Sequence, residues 1–385
     1  MINIKNKADC CGCSACVSIC GKKAIQFVAD SEGFNYPQVD KEKCVNCDLC
    51  DTVCPIQSRK QTDKTVETPS QYKAVRIKDK DILQNSSSGG AFSILANIVF
   101  DLGGVVCGVE YSDNGMARHT IIENKNELYK LRGSKYVQSD ILGTYEKVKG
   151  ILKTGRHLLF SGTPCQIDGL KQFLRKDYTN LWTVDLICHS IPSPLIFKEY
   201  MSYCSKVLGH EIVSIDMRYK RTYGWSHRFS YRFLYKNGKS TIDPPYVVNW
   251  GRLFFSEMIN RPSCGDCQYT NLNRVGDFTI ADFWDDDKKR LDIYSKEGTS
   301  LLLINTEKAK SLFEGNSEEY YAWDITREEA LQPCLCHVTK QSKRRDEFWN
   351  YYYNNGFDAS YKKFFADSRY VIFKKIIKKL IRWDA

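Results

Sequence analysis

The sequence predicts a mixed fold, a small α+β module wound around cysteines followed by a larger α/β domain. Three observations predict it. Cys10, Cys13, Cys16 and Cys20 follow the spacing C-x2-C-x2-C-x3-C, and Cys44, Cys47, Cys50 and Cys54 repeat it 34 positions later. Residues 57–70 carry almost nothing apolar and read as a linker. From Tyr72 onward, strand-like and helix-like segments alternate, the pattern of α/β units with parallel strands.

Eight thiols in that register match the bacterial two-cluster ferredoxin run, in which the fourth cysteine of each run crosses to the other cubane. Cys10, Cys13, Cys16 and Cys54 would hold one 4Fe-4S cluster, and Cys44, Cys47, Cys50 and Cys20 the second. Structural zinc usually takes paired C-x2-4-C units rather than a compact run of four. Disulfides would suit a small secreted protein, but the N-terminus MINIKNKADCC has no apolar leader. Gly21 stands where the second run has Pro55; that residue shapes a turn and is not a ligand. Cys11 is out of register and reads as a bystander. Between the runs, residues 24–28 and 34–39 read as short strands, with Ser31-Glu32-Gly33 as the turn.

Composition narrows the class. Seventeen cysteines point to metal ligation in a reducing compartment, so a cytoplasmic location is expected. The formal charge is +10, but cluster-bound thiolates would offset part of it and no nucleic-acid motif is present. No nucleic-acid partner is expected. No run of about 18 apolar residues occurs, so no transmembrane helix is expected either.

In the larger domain, Ser86-Ser87-Ser88-Gly89-Gly90 opens an apolar helix, Ala91 to Leu102, that Gly103-Gly104 ends. Residues 105–109 form a buried-type strand. Helices follow around 125–131 and 141–153. Strand 157–160, helix 166–176 and strand 182–187 form a βαβ candidate, and later strands are expected at 229–235, 278–280 and 300–304. Cys165 falls just past the first strand of that unit and Cys188 just past the second. Parallel strands put both at one sheet edge, where ligand sites gather. Cys264-Gly265-Asp266-Cys267 adds a C-x2-C loop. Four thiolates would suffice for a third cubane. Zinc, ordinary core cysteines, or a reactive Cys165 at a helix N-terminus are the competing readings. Cys107 and Cys204 read as core. Cys334-Leu335-Cys336-His337 has the wrong spacing for a strong metal motif.

The serine–glycine entry to the helix at 91 suits a phosphate, through free N–H groups and the helix dipole. It equally suits a plain capped helix, and it is neither a Rossmann nor a Walker signature. Residues 131–139 form a polar, aromatic-containing loop, in which Lys135 and Tyr136 could meet a diphosphate and a planar ring.

Together the blocks Ser86–Phe92, Leu131–Ser139, Phe160–Gln166, Val184–His189, Arg261–Cys267 and Asn273–Trp284, in this order, resemble the coenzyme F-420 hydrogenase/dehydrogenase beta-subunit family, in the version with an N-terminal two-cluster ferredoxin module. The resemblance implies FAD and a catalytic-domain 4Fe-4S cluster with Cys165, Cys188, Cys264 and Cys267 as ligands. It also implies that Ser87, Ser88, Gly89, Gly133, Ser134, Lys135, Tyr136 and Gln138 lie near the flavin. The expected fold class is then a two-cluster ferredoxin-like module followed by a mixed α/β flavin-binding catalytic domain. The expected divisions are 1–56, a linker 57–70, the catalytic domain 71–335 (parts 71–160 and 161–335), and a helical basic tail 336–385.

The expected activity is that of an iron–sulfur flavoprotein oxidoreductase. Electrons would pass between a redox partner protein or ferredoxin and a small-molecule hydride acceptor or donor, a deazaflavin or another. A flavin joins one-electron to two-electron traffic, which clusters alone cannot do. Lys135 and His189 are the candidate catalytic residues. The alternative is a non-catalytic subunit delivering electrons to a partner enzyme. Residues 370–383 read as a basic amphipathic helix, either packed on the body or making peripheral contact with an anionic membrane.

Overall fold

The computed structural model describes residues 1–59, 69–225, 230–284, 290–314 and 318–366. The tail expected at 370–383 and most of the linker lie outside the described residues. Strands β1 (Ile25–Ala29) and β2 (Asn35–Val39) pair antiparallel between the two cysteine runs, as expected. The main sheet draws on β3 (Gln71–Ile77), β4 (Val105–Tyr111), β5 (Ala117–Ile122), β6 (Leu158–Gly162), β7 (Leu181–Leu186), β11 (Phe278–Asp282), β12 (Ser300–Ile304) and β13 (Tyr320–Asp324). A three-stranded antiparallel sheet holds β8 (Ile212–Asp216), β9 (Arg232–Tyr235) and β10 (Ser240–Ile242).

The main sheet runs β13-β3-β12-β11-β7-β6-β4-β5. Its centre, β11-β7-β6-β4, is parallel, and every flanking strand is antiparallel to its neighbour. The α/β expectation therefore holds at the centre and is diluted at both sides. Leu158, Leu159 and Phe160 of β6 are fully buried because both sheet faces are covered, which is why β6 reads as a continuous apolar run. Each such side chain contributes about 1.5–3 kcal/mol by leaving water.

On one face, helix Ala91–Asp101 packs Leu95 and Val99 against Val106, Leu159 and Val184. On the other, helices Thr144–Lys153 and Pro164–Leu174 cover Val105, Leu158 and Phe160. Cys13, Ala15 and Val53 of the cysteine module join this second core. The close approach needs Gly169: a Cβ there would stand 2.8 Å from the Cys13 Cβ. The helix expected at 125–131 is a 3-10 turn, Lys125–Lys130, capped by the Asn124 side chain. A third core gathers Tyr200, Trp250 and Phe348 under helices Pro194–Leu208 and Arg345–Phe364, and β8 and β9 close it.

Candidate metal centres and the adjoining cavity

Several of the N-terminal thiols lie close together. Burial, then the charges of Cys10, Cys54 and Cys50, push the Cys16 thiol upward. A hydrogen bond from Cys11 pulls Cys13 down, but burial and the neighbours Cys16 and Cys54 leave it raised. Cys54, 34 residues beyond Cys20, is thus a neighbour of the first run. Cys20 shares an apolar cluster with Cys16, Cys50 and Cys54, and accepts from the Ala24 N–H at 3.3 Å. Cys50 accepts from the Ile2 N–H at 3.2 Å. Exposure grades outward: Cys10 and Cys13 are buried against the body, whereas Cys47 faces solvent.

The second constellation is assembled by topology. β6 and β7 pair parallel, so the chain leaves both at one edge. After β6, Thr163 and Pro164 begin the next helix; Gln166 Oε1 accepts from the Thr163 N–H at 3.0 Å, and Cys165 takes the first turn. After β7 comes Cys188. Cys264 lies within the short turn Pro262–Asp266 and Cys267 caps its end, and the Ile191 N–H donates to Cys264 Sγ at 3.3 Å. All four thiols line one small cavity. Burial first, then Cys264, Cys165 and Cys267, raises the Cys188 thiol. Burial likewise pushes Cys264 up to about 12. A hydrogen bond that the Cys165 thiol donates to Cys11, then burial, raises Cys165, the opposite of the reactive low-pKa thiol that its helix N-terminus suggested. Cys11 itself lines this cavity and is no remote bystander.

Buried thiols that oppose one another's ionisation stay protonated unless a cation takes the thiolates. That donor chemistry fits iron clusters in both places. Among the described residues no three His, Cys, Asp or Glu converge on a single-ion position. A cubane does not require it, because each thiolate binds a different iron.

A buried polar network holds the second site together. Asp185, fully buried at the end of β7, pairs with Arg274 at 2.8 Å and accepts from the Gly276 N–H and the Thr279 hydroxyl. Arg274 also donates to the carbonyls of Leu186 and Tyr269. The strand leading to Cys188 is thereby tied to the loop that follows Cys267.

Beside this site opens a cavity of about 1280 Å³. Thr163, Cys188, His189, Ser190 and Ile191 line both spaces. Its walls include Ser86, Ser87, Ser88, Gly133, Ser134, Lys135 and Tyr136, from two segments expected to meet. Ser87 Oγ latches them by accepting from the Ser134 N–H at 2.8 Å. Gly89 and Gln138 are not among the lining residues. Gly89 sits where a Cβ would stand 2.3 Å from the Val75 carbonyl oxygen. Gln138 turns to Arg261 at 3.2 Å. Among the described residues, Arg132, Lys135, Arg218 and Arg252 face the cavity against one carboxylate, Asp282, which pairs with Arg218 at 3.4 Å. Lys135 Nζ donates to the Arg132 carbonyl at 2.7 Å, and burial lowers its pKa to about 7. His189 packs between Phe254 and Phe255, and burial lowers its pKa. Its Nε2 is 3.6 Å from Glu257, beyond hydrogen-bond reach. Sequence reasoning missed Arg218, Arg252 and Phe254, which lie in segments without a motif.

Two sets of gathered thiols, the second beside a cationic cavity, fit an iron–sulfur redox subunit. Residues 9–58 match the model of a 4Fe-4S dicluster domain. Residues 72–145 and 155–326 match the N-terminal and C-terminal models of the coenzyme F420 hydrogenase/dehydrogenase beta subunit. The chain belongs to that family. An uncharacterized protein of Methanocaldococcus jannaschii is 24% identical over 193 residues, covering 44% of this chain and 53% of that protein. The chain thus matches about half the length of this curated relative. A chain of the F420-reducing NiFe hydrogenase complex from Methanosarcina barkeri superposes with a TM-score of 0.48 at 16% identity, over 78% of this chain and 93% of that one. No described helix is long and apolar enough to cross a membrane.

Proposed function

We propose that the chain is an iron–sulfur flavoprotein oxidoreductase that exchanges single electrons at its N-terminal clusters and an electron pair with a small organic molecule in the large cavity. The observation that carries this reading is the shared wall: Cys188 and His189 line both the thiol cavity and the cationic one. Bound FAD would supply the conversion between one-electron and two-electron steps.

The residues present fit such a group. Arg132 and the turn Ser86–Ala91 at a helix N-terminus suit a diphosphate. Phe254, Phe255 and Tyr136 offer apolar walls for a ring system. His189 and its aromatic neighbours Phe254 and Phe255 form the wall next to Cys188. Lys135, with a pKa of about 7, can hold or give up a proton at Nζ near neutrality. A ferredoxin-type protein would meet the exposed Cys47 end.

The family is named for a subunit, and that favours one second reading, a chain that passes electrons on to a partner enzyme. An anaerobic preparation decides. About 12 iron atoms per chain, four for each of three cubanes, with bound FAD and reduction of a soluble acceptor by the isolated chain, are expected. Full iron and flavin without any acceptor reduction would support the electron-delivery subunit. A colourless protein would end both.

A further inference from the structure

Arg261 is 1% exposed and lies between the two thiol regions. Its Nε donates to the Cys10 carbonyl at 2.7 Å, one Nη to the Asn35 carbonyl at 2.9 Å, and the other to Gln138 Oε1 at 3.2 Å. The same Nη that reaches Asn35 stands 3.5 Å from Cys10 Sγ. Tyr36 and Phe34 stack near the guanidinium at 4.5 and 5.4 Å. On the other side, the Arg261 carbonyl accepts from the Cys264 N–H at 3.0 Å. Among the described residues no carboxylate contacts it.

A buried guanidinium without a carboxylate is costly unless another anion faces it. The ionisable groups that its surroundings offer are the thiols of Cys10, Cys11 and Cys264 and the Tyr36 hydroxyl, and of these Cys10 and Cys264 belong to the two sets of cluster ligands. Gly12 keeps the space for it: φ is +72°, and a Cβ would stand 2.8 Å from an Arg261 Nη. The chain has shaped a tight seat for one fixed positive charge between two sets of cluster ligands.

We propose that Arg261 tunes electron transfer between the cluster held at Cys10 and the one held at Cys264. This rests on the cluster reading above. A cubane bound by four thiolates gains one negative charge when reduced, with no bond formed or broken. A fixed cation beside it favours the reduced state and raises its potential. The inner ferredoxin cluster, at Cys10, feels this charge most. The outer cluster, at Cys44, Cys47 and Cys50, lies away from it. An electron that enters at the exposed end is thus drawn inward.

The test is a redox titration followed by electron paramagnetic resonance, with iron counted on each anaerobic sample. Cys47→Ser assigns the outer cluster's signal. In R261Q one inner midpoint shifts downward while the outer one stays. R261K, which keeps the charge, restores most of the shift. Q138E sets a carboxylate beside the guanidinium and moves the same midpoint down by less, and it decides the matter if R261Q does not take up iron. Iron-replete variants with unmoved midpoints, an equal shift in R261K and R261Q, or equal shifts in every cluster would overturn the proposal. A wild-type protein without iron would take the proposed function down with it.

Discussion

The two thiol regions are built in opposite ways. In the first, the eight in-register cysteines fall within 45 residues, Cys10 to Cys54, around two short helices, Ala15–Ile19 and Leu49–Thr52. In the second, Cys165, Cys188, Cys264 and Cys267 span 103 residues and meet because β6 and β7 end side by side and the Pro192–Asn260 bridge brings the Cys264 loop to that edge. A local motif carries its own geometry. A distributed one borrows geometry from the sheet, so what threatens the sheet threatens the metal.

Asp185→Ala tests that difference hardest. It leaves Arg274 buried without its carboxylate, and breaking a buried pair in this way costs about 3–5 kcal/mol. A large drop in Tm and loss of iron from the distributed site are expected, with the N-terminal signals retained. Equal loss at both sites would erase the distinction. Cys267→Ser removes one ligand and leaves the network: iron falls by about a third, Tm changes little, and flavin reduction by a ferredoxin-type donor stops. Unchanged iron would remove the third cluster.

Gly169→Ala probes a close contact between the N-terminal module and the body, since its methyl would press on Cys13. Overpacking of this kind costs about 1–3 kcal/mol. The iron lost on mild chelation should come first from the inner N-terminal site, as its visible absorbance would show. The smallest effect is a slope with pH. Lys135 and Lys220 are both lowered by burial to about 7 from an ordinary value of 10.5. Between those values the unfolded chain binds more protons than the folded one, so stability rises with pH. Denaturant titrations at pH 7 and 9 should show the rise, and Lys220→Met should flatten it.

Much of this was legible before any coordinates. The repeated cysteine spacing, β6, β7, β11, β12 and the helix after Gly90 all announce themselves, because local spacing or double-sided burial writes a short-range pattern. Cys165 and Cys188 could be placed together because parallel strands share an edge. Other features left no such trace. β13, YYAWD, is an edge strand with one buried residue, too weak a pattern to separate from a loop. The 3-10 turn at Lys125–Lys130 has helical composition but only two turns' worth of residues. Arg261 and Arg274 look like any surface arginine until the chain folds around them, since burial of a charge depends on partners far away in sequence. The resemblance implies Gln138 near a flavin, and its side chain accepts from Arg261 instead of lining the large cavity.

The bare rim at Cys47 has one more outcome. Whatever corrodes such a protein arrives from solvent, and it meets that sulfur long before it meets Cys13 or Cys264. If the thiols hold clusters as proposed above, loss in air should run from rim to interior, and the last colour to fade should belong to the thiols at the sheet edge.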